Sequence, residues 1–372
     1  MSADAVCIGA GTAGLAFGIY AAQKGYKVEV YDRKKEIGLP IRSTGGIAEY
    51  AVRLYGLKIE DEWSYPIKRI TLATADGDES QFDVSKPAGY VLDQTQFELY
   101  LAEKAESLGA GIYLGREVDP ANLAGRESLV VGADGPFSMT RKLVGLQLNN
   151  DMDMHVGYEV WIPSRRLDVE EYEIKIVYST VYAPYGYIWF FRYKDMVKVG
   201  CGVPMAFNRQ TPVKNLLASY LLRVEGVNIE EYEHSMGGVI PTGPPLDRVV
   251  HRIGGTWFAL LGDAGNMVNA STGGGLQFAI ASAYMLAENL EEPSGYQKEY
   301  CKVLKPLLSR WYKVKRALYM FSDRDFQRLV EALSTYRIKS LNPRREITRA
   351  VMYVALKHPA IFWKVFKAWT GI

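Results

Sequence analysis

The chain opens on a short apolar run, Ala5-Val6-Cys7-Ile8, and then breaks into Gly9-Ala10-Gly11-Thr12-Ala13-Gly14. Four apolar residues bounded by glycine read as a buried strand. The alanine-rich stretch from Leu15 to Lys24 continues as a helix and stops at Gly25, a residue suited to closing one. Lys27-Val28-Glu29-Val30-Tyr31 alternates as a second strand and delivers Asp32 at its end. Residues 67–73 and 81–84 alternate on either side of Asp76-Gly77, a hairpin signal, and helical periodicity runs from Asp93 to Leu108 before Gly109. The stretches from Ser128 to Gly135 and from Thr256 to Asp263 repeat the buried strand that runs into glycine. A long alanine-rich helix follows the second, to about Asn289. Between His155 and Pro204, short alternating runs rich in Tyr, Val, Ile and Trp predict an antiparallel sheet. Beyond Gly295 the pattern is helical.

The first strand, turn, helix and second strand form an ordered dinucleotide fingerprint. Gly9 permits the tight turn, Gly11 lets backbone approach a pyrophosphate, and Gly14 allows close helix–strand packing. The helix N-terminus offers unpaired N–H groups to phosphate, and Asp32, followed by Arg33, is placed to accept from ribose hydroxyls. A second motif, Asp134-Gly135-Pro136-Phe137-Ser138-Met139-Thr140-Arg141, puts an acid at a strand end, with Ser and Arg at helical spacing. In the third, Gly262-Asp263-Ala264-Gly265 precedes Asn269-Ala270-Ser271-Thr272-Gly273-Gly274-Gly275. There a carboxylate can hold sugar-like hydroxyls, and a glycine triplet opens a helix toward a pyrophosphate or a ring edge. An ordinary strand–loop–helix competes for the third motif alone.

Composition narrows the setting. At 372 residues, 48% hydrophobic and 23% charged, the chain has the makings of two domains or one large composite one. Its three cysteines lie far apart, which points to a reducing, cytoplasmic compartment and away from disulfides or a zinc site. The four histidines (His155, His234, His251, His358) show no ligand spacing, so no metal is expected. Neither a signal peptide, nor a membrane-spanning run, nor a nucleic-acid motif is visible. The formal charge of +2 divides into +12 from Tyr296 onward and −10 before it. A basic tail on an acidic body suits an anionic partner surface, and a solvated helical face is the competing reading. Within the tail, a helix over 358–369 would set Phe362, Phe366 and Trp369 on one face, with Lys364 and Lys367 toward another. Such a segment can lie in a membrane interface, or dock on the body or on a second copy.

The three motifs in this order resemble the FAD-dependent enzymes of the p-hydroxybenzoate hydroxylase fold over residues 1–295. Within them Pro184-Tyr185-Gly186-Tyr187-Ile188-Trp189-Phe190-Phe191 is similar to the signature P-x-x-Y-x-W-x-F-P of the geranylgeranyl reductase family, with Arg192 at the final proline. The resemblance implies FAD, held by Gly9, Gly11, Thr12, Ala13, Gly14, Asp32, Arg33, Arg42, Gln94, Asp134, Gly262, Asp263, Gly273, Gly274 and Gly275. Gln94 stands where the family usually has Arg, and Arg42-Ser43-Thr44-Gly45-Gly46 where it commonly has a Cys-Gly pair, so that Ser43 either replaces any catalytic or redox part of that cysteine or leaves it unfilled. Alternate positions on a strand share a face, so Tyr187 and Trp189, with Tyr185 and Phe191, can wall an apolar pocket. Aromatic core packing is the competing role.

The fold expected is α/β: a Rossmann-like FAD-binding domain (1–150 with 245–295, residues 60–92 contributing to the other domain), an antiparallel-sheet substrate domain (151–244) and a basic helical region (296–372). The function implied is saturation of isoprenoid double bonds, on geranylgeranyl ether lipids or prenyl diphosphates, by hydride transfer from reduced flavin. NAD(P)H or reduced ferredoxin would be the electron donor. The alternatives are an FAD-dependent monooxygenase of the same fold and a non-catalytic flavin- or lipid-binding protein. No nucleic-acid partner is expected, and the oligomeric state stays open.

Overall fold

The opening apolar run forms a strand, Ala5–Ile8, with every residue buried, at the centre of a six-stranded sheet. The computed structural model describes residues 3–148, 150–337, 349–350, 352–354 and 356–370. The chain divides into two units, a nucleotide unit (Met1–Trp63, Leu92–Asn150, Ile240–Ser309) and a sheet unit (Ser64–Val91, Asp151–Val239, Arg310–Ile372).

In the nucleotide unit the strand order is Val250–Ile253, Thr256–Leu260, Leu129–Gly132, Ala5–Ile8, Val28–Asp32, Gly111–Leu114. All neighbours are parallel except the first pair. The first helix, Thr12–Gln23, starts three residues earlier than its alanine content suggests, because Gly11 is already its extended N-cap (φ −89°, ψ −172°). It is apolar around most of its circumference and buried from Thr12 to Ala21, as expected for a helix packed on several sides. Its neighbours are the helices Gln94–Ser107 and Leu276–Glu288. Small residues bring them close: a Cβ at Gly18 would touch the Cβ of Ala105 at 3.5 Å. The side chain of Asp93 caps the helix Gln94–Ser107 by accepting from Gln96 N at 3.1 Å.

The sheet unit is built on a seven-stranded sheet, ordered Ser235–Pro241, Met154–Pro163, Met196–Pro204, Tyr187–Tyr193, Glu173–Tyr178, Arg69–Thr74, Glu79–Asp83. The sheet is mixed rather than purely antiparallel, since Glu173–Tyr178 pairs parallel with Arg69–Thr74. One face, built from Val160, Ile162, Ile188, Phe190, Val199 and Cys201, packs on Val213, Leu217 and Tyr220 of the helix Val213–Tyr220.

Residues 310–372, expected to end a separate C-terminal region, group with the sheet unit, and 338–348 lie outside the described residues. Helix Asp323–Ser334 opens on a reciprocal cap between Ser322 and Asp325, and Asp325 also binds Lys364 Nζ at 2.5 Å. Helix Pro359–Thr370 turns Ile361, Ala368 and the half-buried Trp369 into a cluster with Phe82, Phe321 and Phe326. The tail therefore corrects the sequence reading at one residue: Trp363, not Trp369, stands with Phe362 and Phe366 on the exposed side.

Candidate functional site

Three glycine turns converge in the nucleotide unit. Gly9 adopts φ +110° and donates its N–H to Tyr31 O at 2.7 Å; a Cβ there would overlap the Ala133 carbonyl. Gly14 lies so close to Gly9 O that a Cβ would overlap that oxygen too. Gly11 is different, because the nearest atom to a Cβ would be Glu98 Oε1 at 3.7 Å. The first bond of the helix is Leu15 N to Gly11 O at 3.0 Å, so the amides of Ala13 and Gly14 precede the helical ladder and have no partner within it. Asp32 is braced at the end of its strand, accepting from Ala10 N at 2.7 Å and Lys34 N at 2.9 Å. Each carboxylate oxygen retains a second acceptor position for a ribose hydroxyl.

Glu98 is the residue that motif reading missed. Its Oε1 accepts from Thr12 N, Thr12 Oγ1 and Gln94 Nε2, each at 3.0 Å, and Lys34 Nζ lies 3.5 Å from its Oε2. The available signal was positional, since Gln94, Phe97, Glu98, Leu101 and Ala105 follow the spacing of a buried helix face. Gln94, at the family arginine position, is buried with its Oε1 left without a hydrogen-bond partner.

The second motif turns inward. Asp134 accepts from Ser138 Oγ (2.5 Å), Thr140 N (3.0 Å) and Thr140 Oγ1 (3.2 Å), so its carboxylate is engaged in capping the helix Met139–Leu143. The buried Arg141 donates to Asp263 O at 3.2 Å and Ala264 O at 3.0 Å, which ties the second motif to the third. Burial lowers the Arg141 pKa, opposed by the carboxylates of Asp134 and Asp263. Burial likewise pushes the Asp263 carboxyl up to about 6, against the pull of Arg141. Asp263 faces the glycine triplet: a Cβ at Gly275 would come within 3.3 Å of its Oδ1. Gly273 N and Asn269 O (2.8 Å), with Asn269 N and Gly274 O (3.0 Å), close the loop before the helix Leu276–Glu288. Gly262 abuts Ala13, its would-be Cβ 3.3 Å from that of Ala13, so the third motif meets the first at the N-terminus of Thr12–Gln23. The open face of Gly11, the first-turn amides and the unpartnered Gln94 oxygen fit a dinucleotide.

Arg33 and Arg42 are exposed. Ser43 Oγ accepts from Gly45 N at 3.1 Å, which braces the loop. Gly45 (φ +89°) presses on the Leu92 carbonyl.

In the sheet unit, Tyr187 and Trp189 share a face, their ring centroids 5.8 Å apart. Burial raises the Tyr187 hydroxyl well above its ordinary value and keeps it protonated. Of the two other expected pocket residues, Phe191 shares this face as the next alternate position of the strand, and Tyr185 precedes the strand. Tyr185, exposed with φ +58°, packs on Phe207 and Tyr319, and Phe191 packs with Ile67, Val91 and Tyr193. Arg192, at the family proline position, reaches Val169 O at 3.5 Å. His155 is a satisfied interior histidine, with Nε2 3.2 Å from the Tyr319 hydroxyl; burial first, and Lys315 second, lower its pKa to about 3.

Residues 7–59 match the family of NAD(P)-binding Rossmann-like domains. The chain is 26% identical to a digeranylgeranylglycerophospholipid reductase 2 of Methanosphaera stadtmanae, over 92% of this chain and 94% of that protein. It is 29% identical to a digeranylgeranylglycerophospholipid reductase 1 of Methanopyrus kandleri, over 90% and 95%. A crystal structure of a geranylgeranyl bacteriochlorophyll reductase-like protein from Thermoplasma acidophilum superposes with a TM-score of 0.83 at 21% identity, covering 98% of this chain and 99% of that one.

Proposed function

We infer that this chain is an FAD-dependent oxidoreductase of the geranylgeranyl reductase family, which saturates isoprenoid double bonds in geranylgeranyl ether lipids or prenyl diphosphates. The observation that carries this reading is similarity along nine-tenths or more of both chains to reductases of that kind. The geometry agrees with it. Gly11 and the first-turn amides of Ala13 and Gly14 would hold the FAD diphosphate, Gln94 Oε1 would accept from a donor group of the cofactor such as a hydroxyl, Asp32 would hold the adenosine ribose, and Asp263 with Gly273 to Gly275 the ribityl side and ring edge. Asp134 and Arg141 shape those loops from behind. When bound and reduced, FAD supplies a hydride to one alkene carbon; a proton completes the other, and NAD(P)H or reduced ferredoxin restores the electrons.

An isolated alkene offers no charge to grip, so the protein's work is orientation and exclusion of water. Tyr187 and Trp189 provide the aromatic wall, and the protonated Tyr187 hydroxyl can orient a proton-bearing water. Ser43, whose hydroxyl braces its own loop, keeps the Gly45-Gly46 turn tight in place of the family cysteine. The test is incubation of a geranylgeranyl lipid with FAD-loaded protein and dithionite without oxygen, in parallel with air and NAD(P)H, read by mass spectrometry. Gains in steps of about two mass units are expected in the anaerobic tube. A gain of about sixteen, in air only, would instead make the protein a monooxygenase.

Peripheral contact with an anionic membrane belongs to the same reading. Phe362, Trp363 and Phe366 stand exposed and in mutual ring contact (5.6–6.1 Å), with Met352 and Leu356 also exposed. The exposed Lys367, next to Phe366 on the same helix, supplies positive charge beside them. Among the described residues no helix is long and apolar enough to cross a membrane. Aromatic and basic groups on one surface suit the headgroup region. The protein should float with phosphatidylglycerol vesicles, and replacing the three aromatic residues by serine should abolish flotation while leaving the melting temperature unchanged. Equal flotation of the variant would remove this part of the reading.

A further inference from the structure

The sheet face opposite the core of its unit carries a polar group that the function above leaves unexplained. Strand pairing sets Trp189, Gly200 and Glu159 abreast on three adjacent strands, with Tyr187, Gly202 and Gly157 in the row on one side and Phe191, Lys198 and Trp161 on the other. A Cβ at Gly200 would overlap the Trp189 ring, and Cβ atoms at Gly157 and Gly202 would touch it at 3.4 Å. The indole therefore lies across the glycines and reaches the third strand. There its Nε1 donates to Glu159 Oε2 at 2.9 Å. The second oxygen of the same carboxylate accepts from Trp161 Nε1 at 3.0 Å. Glu159 and Lys198 are each only 1% exposed, and the Lys198 ammonium lies over the rings of Trp161 (4.6 Å) and Tyr193 (4.9 Å). Desolvating a carboxylate is costly, and a leucine would fill this space at less expense. What the carboxylate adds is direction, because it only accepts and can hold two N–H groups at fixed angles.

We propose that Glu159 is a positioning residue, which clamps Trp189 and Trp161 from one carboxylate and so fixes the tilt of the Trp189 ring that forms the wall for the isoprenoid chain. The clamp sets which double bond is presented and how firmly it is held. This rests on the reductase reading above. Glu159→Gln retains one acceptor oxygen and places an amide donor against the other indole, so only one of the two N–H groups can be served.

The test joins two readouts. In protein labelled with 15N-tryptophan, the indole resonances of Trp189 and Trp161, assigned with Trp189→Phe and Trp161→Phe, are expected to move in Glu159→Gln. In lipid reduction, the same variant is expected to lose ~10- to 100-fold in kcat with KM within about threefold, and to shift products toward partly saturated chains. Trp189→Phe should shift products the same way, and the double variant should be no worse than the worse single one. Unmoved resonances, or an unchanged product pattern with only a lower melting temperature, would overturn the proposal. Should Glu159→Gln fail to fold, the two Trp→Phe variants carry the comparison, each removing one N–H and keeping a ring. If the unaltered protein reduces no isoprenoid, the functional reading falls and the role in presentation with it; the resonances still report whether Glu159 holds both indoles.

Discussion

Gly11 and Gly14 sit in one turn, yet the structure gives them different reasons to be glycine. At Gly11 the backbone is extended (φ −89°, ψ −172°), and a methyl would meet nothing nearer than Glu98 Oε1 at 3.7 Å. Gly11→Ala should leave the FAD-free fold intact, or raise its stability by about 0.5 kcal/mol through the smaller conformational freedom of the unfolded chain. The same methyl stands where backbone must approach a diphosphate. Overpacking of about 1–3 kcal/mol at that contact would weaken FAD binding about 5- to 150-fold. Gly14→Ala is the opposite case. Its methyl would overlap the Gly9 carbonyl oxygen and press on Cys7 Sγ at 3.2 Å, and neither the backbone nor the buried thiol has room to move. A cost of at least about 3 kcal/mol to the fold itself follows. Urea unfolding of the FAD-free proteins, with FAD titration followed by flavin fluorescence, separates the two effects. The reasoning is refuted if Gly11→Ala binds FAD within about twofold of the parent, or if both variants lose stability equally.

Two further outcomes follow from the same geometry. Burial raises the Asp263 carboxyl to about 6 from an ordinary 3.8, so the folded state holds this proton more tightly than the unfolded one. Its contribution is present below about pH 4 and lost as pH rises through about 6; after allowance for partial exposure it amounts to ~1–3 kcal/mol. Asp263→Asn should flatten that part of the pH–stability curve in urea unfolding of the FAD-free protein, and a curve that keeps its slope would assign the proton to another group. Gly200→Ala would force the Trp189 ring off its strand and away from Glu159, costing ~2–4 kcal/mol. A lower urea midpoint with altered near-ultraviolet circular dichroism is expected, and a midpoint equal to the parent's would contradict the packing described.

What could be read from the chain alone divides along a physical line. Gly9 and Gly14 were legible because their reasons are local: a turn that needs positive φ, and backbone that approaches backbone within six residues. Asp32 was legible because alternation ends where a parallel strand ends. Period-2 patterning likewise located Tyr187 and Trp189 on one face, since a strand has only two. It could not say that Glu173–Tyr178 pairs parallel with Arg69–Thr74, because alternation specifies a face and leaves the neighbour open. Glu98 escaped for a related reason: it is 86 residues from Thr12, and its carboxylate completes a helix N-terminus in another segment. The acid of Asp134 looks the same in sequence whether it caps its own helix or meets a ligand. Trp369 was set on the wrong face because Pro359–Thr370 has apolar residues on more than one side, so a period of 3.6 does not choose which stripe packs. That ambiguity also bears on what the tail does. A helix needing only to dock would keep its aromatic groups inward, whereas this one packs Ile361, Ala368 and Trp369 and still leaves Phe362, Trp363 and Phe366 outside. One apolar face of this helix packs within the sheet unit, and the other is the exposed face for which we propose a membrane surface and which vesicle flotation tests.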